Sequence, residues 1–224
     1  MTTAAVERVP EIWKRLVMIA GAIAATGTAT RADRREASVH VQAVGGVASV
    51  GHDAAEATGS GGLGGLAVRA SYATKNEFQY DAQLSVLYGR AAFDAGTFRL
   101  GGGAPTVAPF VVSGVVARLD AGVTLRLGVR WIPTVRLAAG VQAVRRGSPV
   151  VTVGGVEFSG DDTAPAAVSA NLIGSATVGL DYRVDRRLIV GAAAGATAAV
   201  PGLGDAWREA TITIHVARYW YPRW

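Results

Sequence analysis

Residues 77–89 read Glu-Phe-Gln-Tyr-Asp-Ala-Gln-Leu-Ser-Val-Leu-Tyr-Gly, and the alternation in this stretch decides the fold. Phe78, Tyr80, Ala82, Leu84, Val86 and Tyr88 share one parity, while Glu77, Gln79, Asp81, Gln83, Ser85 and Gly89 share the other. Leu87 is the one exception. Successive side chains of a β-strand point to opposite faces, so a period of two marks a strand with one apolar and one polar side. The same pattern runs from Ala117 to Trp131: Ala117, Leu119, Ala121, Val123, Leu125, Leu127, Val129 and Trp131 alternate with Arg118, Asp120, Gly122, Thr124, Arg126, Gly128 and Arg130. Shorter copies occupy 66–72, 177–184 and 211–216.

Turn chemistry divides the alternating stretches. Short polar links are expected after Tyr72, Trp131 and Val184. Longer stretches rich in Gly, Asp and Pro lie at 51–61, 90–108, 147–166 and 200–207. Between them fall strands near 37–50, 62–73, 77–89, 109–131, 134–146, 167–184, 187–199 and 208–221. Long and short links then alternate, as they do between the two ends of an outer-membrane barrel. The segment 109–131 is much longer than the roughly 9–11 residues needed to cross a membrane. A turn at Asp120-Ala-Gly122 would split it and give ten strands, but the alternation passes through Asp120 unbroken and favours eight. Two segments, 128–137 and 179–188, share a Gly, an aromatic three residues on and a later Arg-Leu, which reads as repeated hairpin chemistry.

Composition narrows the function classes. The chain has 224 residues, 50% apolar and 17% charged, which suits one folded domain. No cysteine is present, which removes disulfides, thiolate catalysis and Cys-based zinc sites. No apolar run is long enough for a membrane-spanning helix, so a bilayer could be crossed only by a closed barrel. The net charge is +5, but the arginines are scattered singly along alternating strands and Lys14 and Lys75 are the only lysines. No nucleic-acid partner is expected.

Residues 1–32 have the layout of a signal peptide, followed by a barrel domain at 33–224. Lys14-Arg15 precedes an apolar stretch from Leu16 to Ala25, and small residues allow cleavage after Ala29 or Ala32. Export through the periplasm to the bacterial outer membrane is the expected route.

Which face meets lipid is read from the aromatics and the charges. Tyr72, Phe78, Tyr80, Trp131, Tyr182 and Tyr219 to Trp224 gather near the short turns and the C-terminus, and Tyr88, Phe93, Phe98, Phe110 and Trp207 near the long loops. Two such belts are expected at the two interfaces of a membrane barrel. The polar face mixes Gly with Arg69, Glu77, Asp81, Arg118, Asp120, Arg126, Arg130, Arg136, Asp181 and Arg183, which could neutralise one another in a narrow lumen.

The last strand, with Ile212, Ile214, Val216, Trp220 and Trp224, resembles the C-terminal strand of outer-membrane barrel proteins; Arg218 and Pro222 depart from that pattern. The architecture is similar to the small barrels of the OmpA transmembrane-domain and OmpX kind. The resemblance implies an all-β, closed antiparallel up-and-down transmembrane β-barrel of about eight strands. It also implies a monomer in contact with outer-membrane lipid and lipopolysaccharide, whose C-terminal strand is read by the assembly machinery.

A site for chemistry is not evident. His40 and His215 fall on the polar faces of the first and last strands, neighbours if the barrel closes. With an acid they could hold a metal or a proton-transfer pair; the reading taken is two lumen residues hydrogen-bonded into the Arg and carboxylate network. His52 beside Asp53, Glu56 and the Asp161-Asp162 pair read as solvated loop residues. The glycine runs at 59–65 and 101–103 lack the Lys and following helix of a phosphate-binding loop. No catalytic, cofactor-binding or metal-ligating set is therefore expected, and no cofactor. The expected role is structural or surface-interacting, with a filled lumen. A narrow channel or carrier for small solutes, or a secreted soluble barrel binding a ligand inside, are the alternatives.

Overall fold

A computed structural model describes residues 36–52, 57–73, 77–100, 103–159, 166–200 and 207–220. The expected signal segment and cleavage positions, Asp53, Glu56, Asp161, Asp162, Pro222 and Trp224 lie outside these residues, and so does the side chain of His52.

The described residues form ten strands: β1 (Glu36–His52), β2 (Ala57–Ala73), β3 (Phe78–Arg99), β4 (Pro105–Arg126), β5 (Trp131–Arg146), β6 (Val150–Val153), β7 (Val156–Phe158), β8 (Ala167–Arg183), β9 (Leu188–Ala199) and β10 (Trp207–Trp220). Eight of them close a ring of antiparallel ladders in the order β1, β2, β3, β4, β5, β8, β9, β10 and back to β1. Closure leaves the eight-strand ring without an edge strand. The remaining two, β6 and β7, form a small hairpin inside the expected 147–166 loop, and β6 joins it to β4 at Phe110 and Val111. The eight-strand reading holds for the barrel, and β4 runs through Asp120 without a turn.

Three sequence expectations need correction. The turn between β4 and β5 is at Leu127–Arg130, not after Trp131, because Gly128 takes a φ of +98°. A left-handed residue suits glycine, whereas Pro133 lies within β5 opposite Leu180. Gly179 sits in mid-strand in β8, so the two echoing segments are not equivalent turns; instead their aromatics, Trp131 and Tyr182, are cross-strand partners. Finally, much of 51–61 and 90–108 is strand. The β3–β4 ladder extends to Arg99 and Pro105, and β1–β2 pairs as far as His52 and Ala57. Glycine there permits close approach rather than a loop: a Cβ on Gly61 would lie 1.8 Å from the Arg90 carbonyl oxygen. The difference between the ends of the barrel is therefore partly one of strand extension.

The wall is inverted relative to a water-soluble barrel. Val41, Leu66, Leu84, Leu119, Leu137, Ile212 and Ile214 are exposed on the outside, Ile212 at 66%. On β3 the exposed apolar residues run from Phe78 to Tyr88. Ten residue steps cover about 33 Å along a strand and about 25 Å in height at a tilt of ~40°, the height of a barrel's lipid-facing band.

Candidate functional site

The lumen holds the charges. Carboxylates of five wall strands, Glu36 on β1, Asp81 on β3, Asp120 on β4, Asp181 on β8 and Glu209 on β10, are all buried. At the turn end, Glu36 receives Arg126 Nη1 at 2.8 Å and lies 3.3 Å from Arg183 Nη2. Arg126 also stacks its guanidinium 4.9 Å from the centre of the Tyr219 ring. One level up, Arg136 donates through Nε and Nη2 to Asp81 Oδ1 at 2.8 and 2.6 Å and also reaches Asp120. Thr124 donates to the other Asp81 oxygen at 2.8 Å. Higher still, Arg118 pairs with Glu209 and donates through Nε to Gln142 at 2.7 Å. The Trp207 indole N–H donates to Glu209 at 3.0 Å. A cavity of about 60 Å³ opens among Arg69, Arg118, Asp120, Arg136, His215 and Glu209, polar and large enough for a few waters.

The histidines meet as strand order requires. His215 lies opposite Gln42 and the His40 ring centre is 5.4 Å from that of His215. His40 Nε2 is 3.1 Å from Ser38 Oγ, and Arg69 Nη2 lies 3.0 Å from His40 Nδ1. A nucleophile-activating histidine needs an acceptor on that second nitrogen to hold its tautomer, and here a guanidinium occupies the place. His215 Nε2 is at ion-pair distance, 2.9 Å, from Asp181 Oδ1, but out of alignment for a hydrogen bond. Among the described residues no three metal-ligating side chains converge.

Above the charged levels the lumen turns apolar. Ala48, Val50, Leu63, Leu87, Val116, Val144 and Trp207 form one cluster. Beyond it Phe93, Phe98, Ala108, Phe110, Val112 and Val151 form another, with Phe93 stacked on Phe110 at 4.4 Å between ring centres. This corrects the expected second aromatic belt. Phe93, Phe98, Phe110 and Trp207 face inward, and Tyr88 alone of that group faces out. Parity could have shown it. Phe93 shares the parity of Leu87, Phe110 that of Arg118, and Trp207 that of Glu209. A register shift between Phe93 and Gly96 then turns Phe98 inward as well. At the turn end the belt stands, with Tyr72, Phe78, Tyr80, Trp131 and Trp220 exposed, although Tyr219 is buried inside. Arg130 is also misplaced by alternation: it is exposed in the turn and donates to the Tyr182 hydroxyl at 2.7 Å.

No family model and no curated protein matches the sequence. Solved structures similar to the chain include Ail, the attachment invasion locus protein of Yersinia pestis, with 12% identity and a TM-score of 0.47 over 84% of this chain and 99% of that one. The N-terminal β-barrel domain of Pseudomonas aeruginosa OprF matches at 16% identity and 0.39 over 82% and 97%. The outer membrane protease OmpT of Escherichia coli matches at 6% and 0.40 over 86% and 99%. The ring of eight antiparallel strands is by itself a closed up-and-down β-barrel.

Proposed function

We propose that the chain is a closed outer-membrane barrel whose role is structural or surface-interacting rather than catalytic or conducting. The observation that carries this reading is the inversion of the wall, with leucine, isoleucine and valine outside and paired charges inside. Water outside and charge inside would be a poor exchange for a secreted soluble barrel, whereas a hydrocarbon surround accounts for both faces. The apolar clusters across the loop end oppose an open pore. The blade made by the outer parts of β3 and β4 with β6 and β7 is the segment offered to partners outside the cell. The evenly short turns and the N-terminal end of β1 face the periplasm in this reading.

Fractionation of cells expressing the full chain tests it. The barrel should require detergent for extraction and run as a faster band before boiling than after. Recovery from the periplasm without detergent, with one band under both conditions, would overturn the membrane reading. In planar bilayers no discrete conductance steps are expected, and steady unitary steps would overturn the closed lumen.

A further inference from the structure

Inside the wall arginines and carboxylates are paired, while three arginines stand outside without an acid among the described residues. The five buried carboxylates face inward, yet Arg90 on β3, Arg145 on β5 and Arg208 on β10 are exposed on the outside toward the loop end. Among the described residues none of these three has a carboxylate within ion-pair distance. Arg90 and Arg145 flank the same strand. Arg90 is opposite Ser113 of β4, and Arg145 is opposite Val115, the next residue on the same face. Two strand spacings and one two-residue offset place their Cα atoms about 12 Å apart, within the joint reach of two arginine side chains. Asp94, the outward acid on β3, is four residues past Arg90, about 13 Å away along the strand.

Position selects the ligand. Arg90 follows directly on Tyr88, the last exposed aromatic of the β3 apolar band, and Val115 between the two arginines is 42% exposed. An arginine at that border can lay its methylene stem on the apolar wall and carry its guanidinium into the headgroup layer. Guanidinium recognises phosphate through paired N–H donors. We infer that Arg90 and Arg145, with the Ser113 hydroxyl between them, form an external binding site for the phosphate groups of a lipid headgroup at the loop-end border of the membrane. This inference rests on the membrane reading above. A free anion would not share the apolar wall, so the lipid itself is the ligand.

The test uses the full chain in mild detergent, with binding of three probes followed by native mass spectrometry: bisphosphorylated lipid A, the same lipid A with both phosphates removed, and inorganic phosphate. The wild type should prefer the phosphorylated lipid and ignore inorganic phosphate at matched concentration. The double variant Arg90→Gln and Arg145→Gln should bind phosphorylated lipid A about tenfold more weakly or worse, since each lost charged hydrogen bond removes a factor of that order. It should keep its heat-modifiable band, and binding of the dephosphorylated lipid should not change. Arg218→Gln, at the opposite border, should bind like wild type. Equal binding of the two lipids by wild type, or equal losses in the Arg218 and Arg90/Arg145 variants, would overturn the site. Either result from a detergent-extracted, heat-modifiable barrel leaves the membrane reading standing, whereas a chain lacking those properties defeats that reading first.

Discussion

The two halves of the lumen are built by the same strands and filled in opposite ways. On β4 the inward residues run Phe110, Val112, Gly114 and Val116 at the loop end, then Arg118, Asp120, Thr124 and Arg126 toward the turns. On β1 the turn half carries Glu36, Ser38, His40 and Gln42, and the loop half carries Ala48 and Val50. An eight-stranded barrel is wide enough only to be packed with side chains. The difference shows that filling and sealing are separate tasks. The charged half leaves a polar cavity of about 60 Å³, and the apolar half leaves one of about 40 Å³ whose walls, among them Val50, Leu63, Phe93 and Trp207, offer water few partners. Removing that lid would hydrate the ion pairs and weaken the Coulomb term that holds them.

The comparison breaks most readily at Arg136. Its replacement by Leu leaves Asp81 and Asp120 buried without their shared cation, and removing one partner of a buried pair costs about 3–5 kcal/mol. Urea unfolding in detergent, followed by the heat-modifiable band, should show that loss. A loss no larger than that of a surface substitution would mean that the charged half is effectively solvated.

In the apolar half, Leu87→Ala should cost about 3 kcal/mol through lost transfer energy and the cavity left behind. The same assay measures it. Because Leu87 belongs to the layer above the charges, the variant should also admit water to Arg118 and Glu209, read as faster exchange of the Trp207 indole proton that Glu209 accepts. Unchanged exchange would deny the lid its sealing role.

A finer test lies where the halves meet. Arg118→Met and Glu209→Gln, made singly and together, form a double-mutant cycle across a fully buried pair. Coupling of about 2 kcal/mol is expected for contacting groups in one network. Coupling near zero would assign the stability of this level to Gln142 and Trp207 rather than to the pair itself.

Much of this was legible in the sequence because a strand's period is exact and barrel closure fixes neighbours. Phe78 to Tyr88 gave the outer face of β3, and the meeting of His40 and His215 followed from the first and last strands closing. Leu87, the exception to its alternation, marked where the lumen changes from charged to apolar. What the sequence concealed was depth and partnership. Glycine-rich stretches looked like loops because glycine serves both turns and close strand packing, as at Gly61. The pairing of Arg136 with acids on β3 and β4, or of Arg118 with Glu209 on β10, depends on register across the ring, which composition does not encode.

Arg126 and Arg130 sharpen the boundary of the charged half, and Arg130 carries the smallest expected effect. By alternation the two are equivalent, four residues apart on one polar face. The turn at Gly128 separates them: Arg126 is 5% exposed and bound to Glu36, while Arg130 is in solvent against Tyr182. Arg126→Leu should therefore cost several kcal/mol, of the order of about 3, because buried Glu36 loses the nearer of its two guanidinium partners. Arg130→Leu should change stability by no more than about 0.5 kcal/mol, as an exposed substitution away from the core does. Equal losses from the two variants would return Arg130 to the lumen and move the turn back toward Pro133; a clear inequality fixes the turn at Gly128 and the floor of the charged lumen at Glu36.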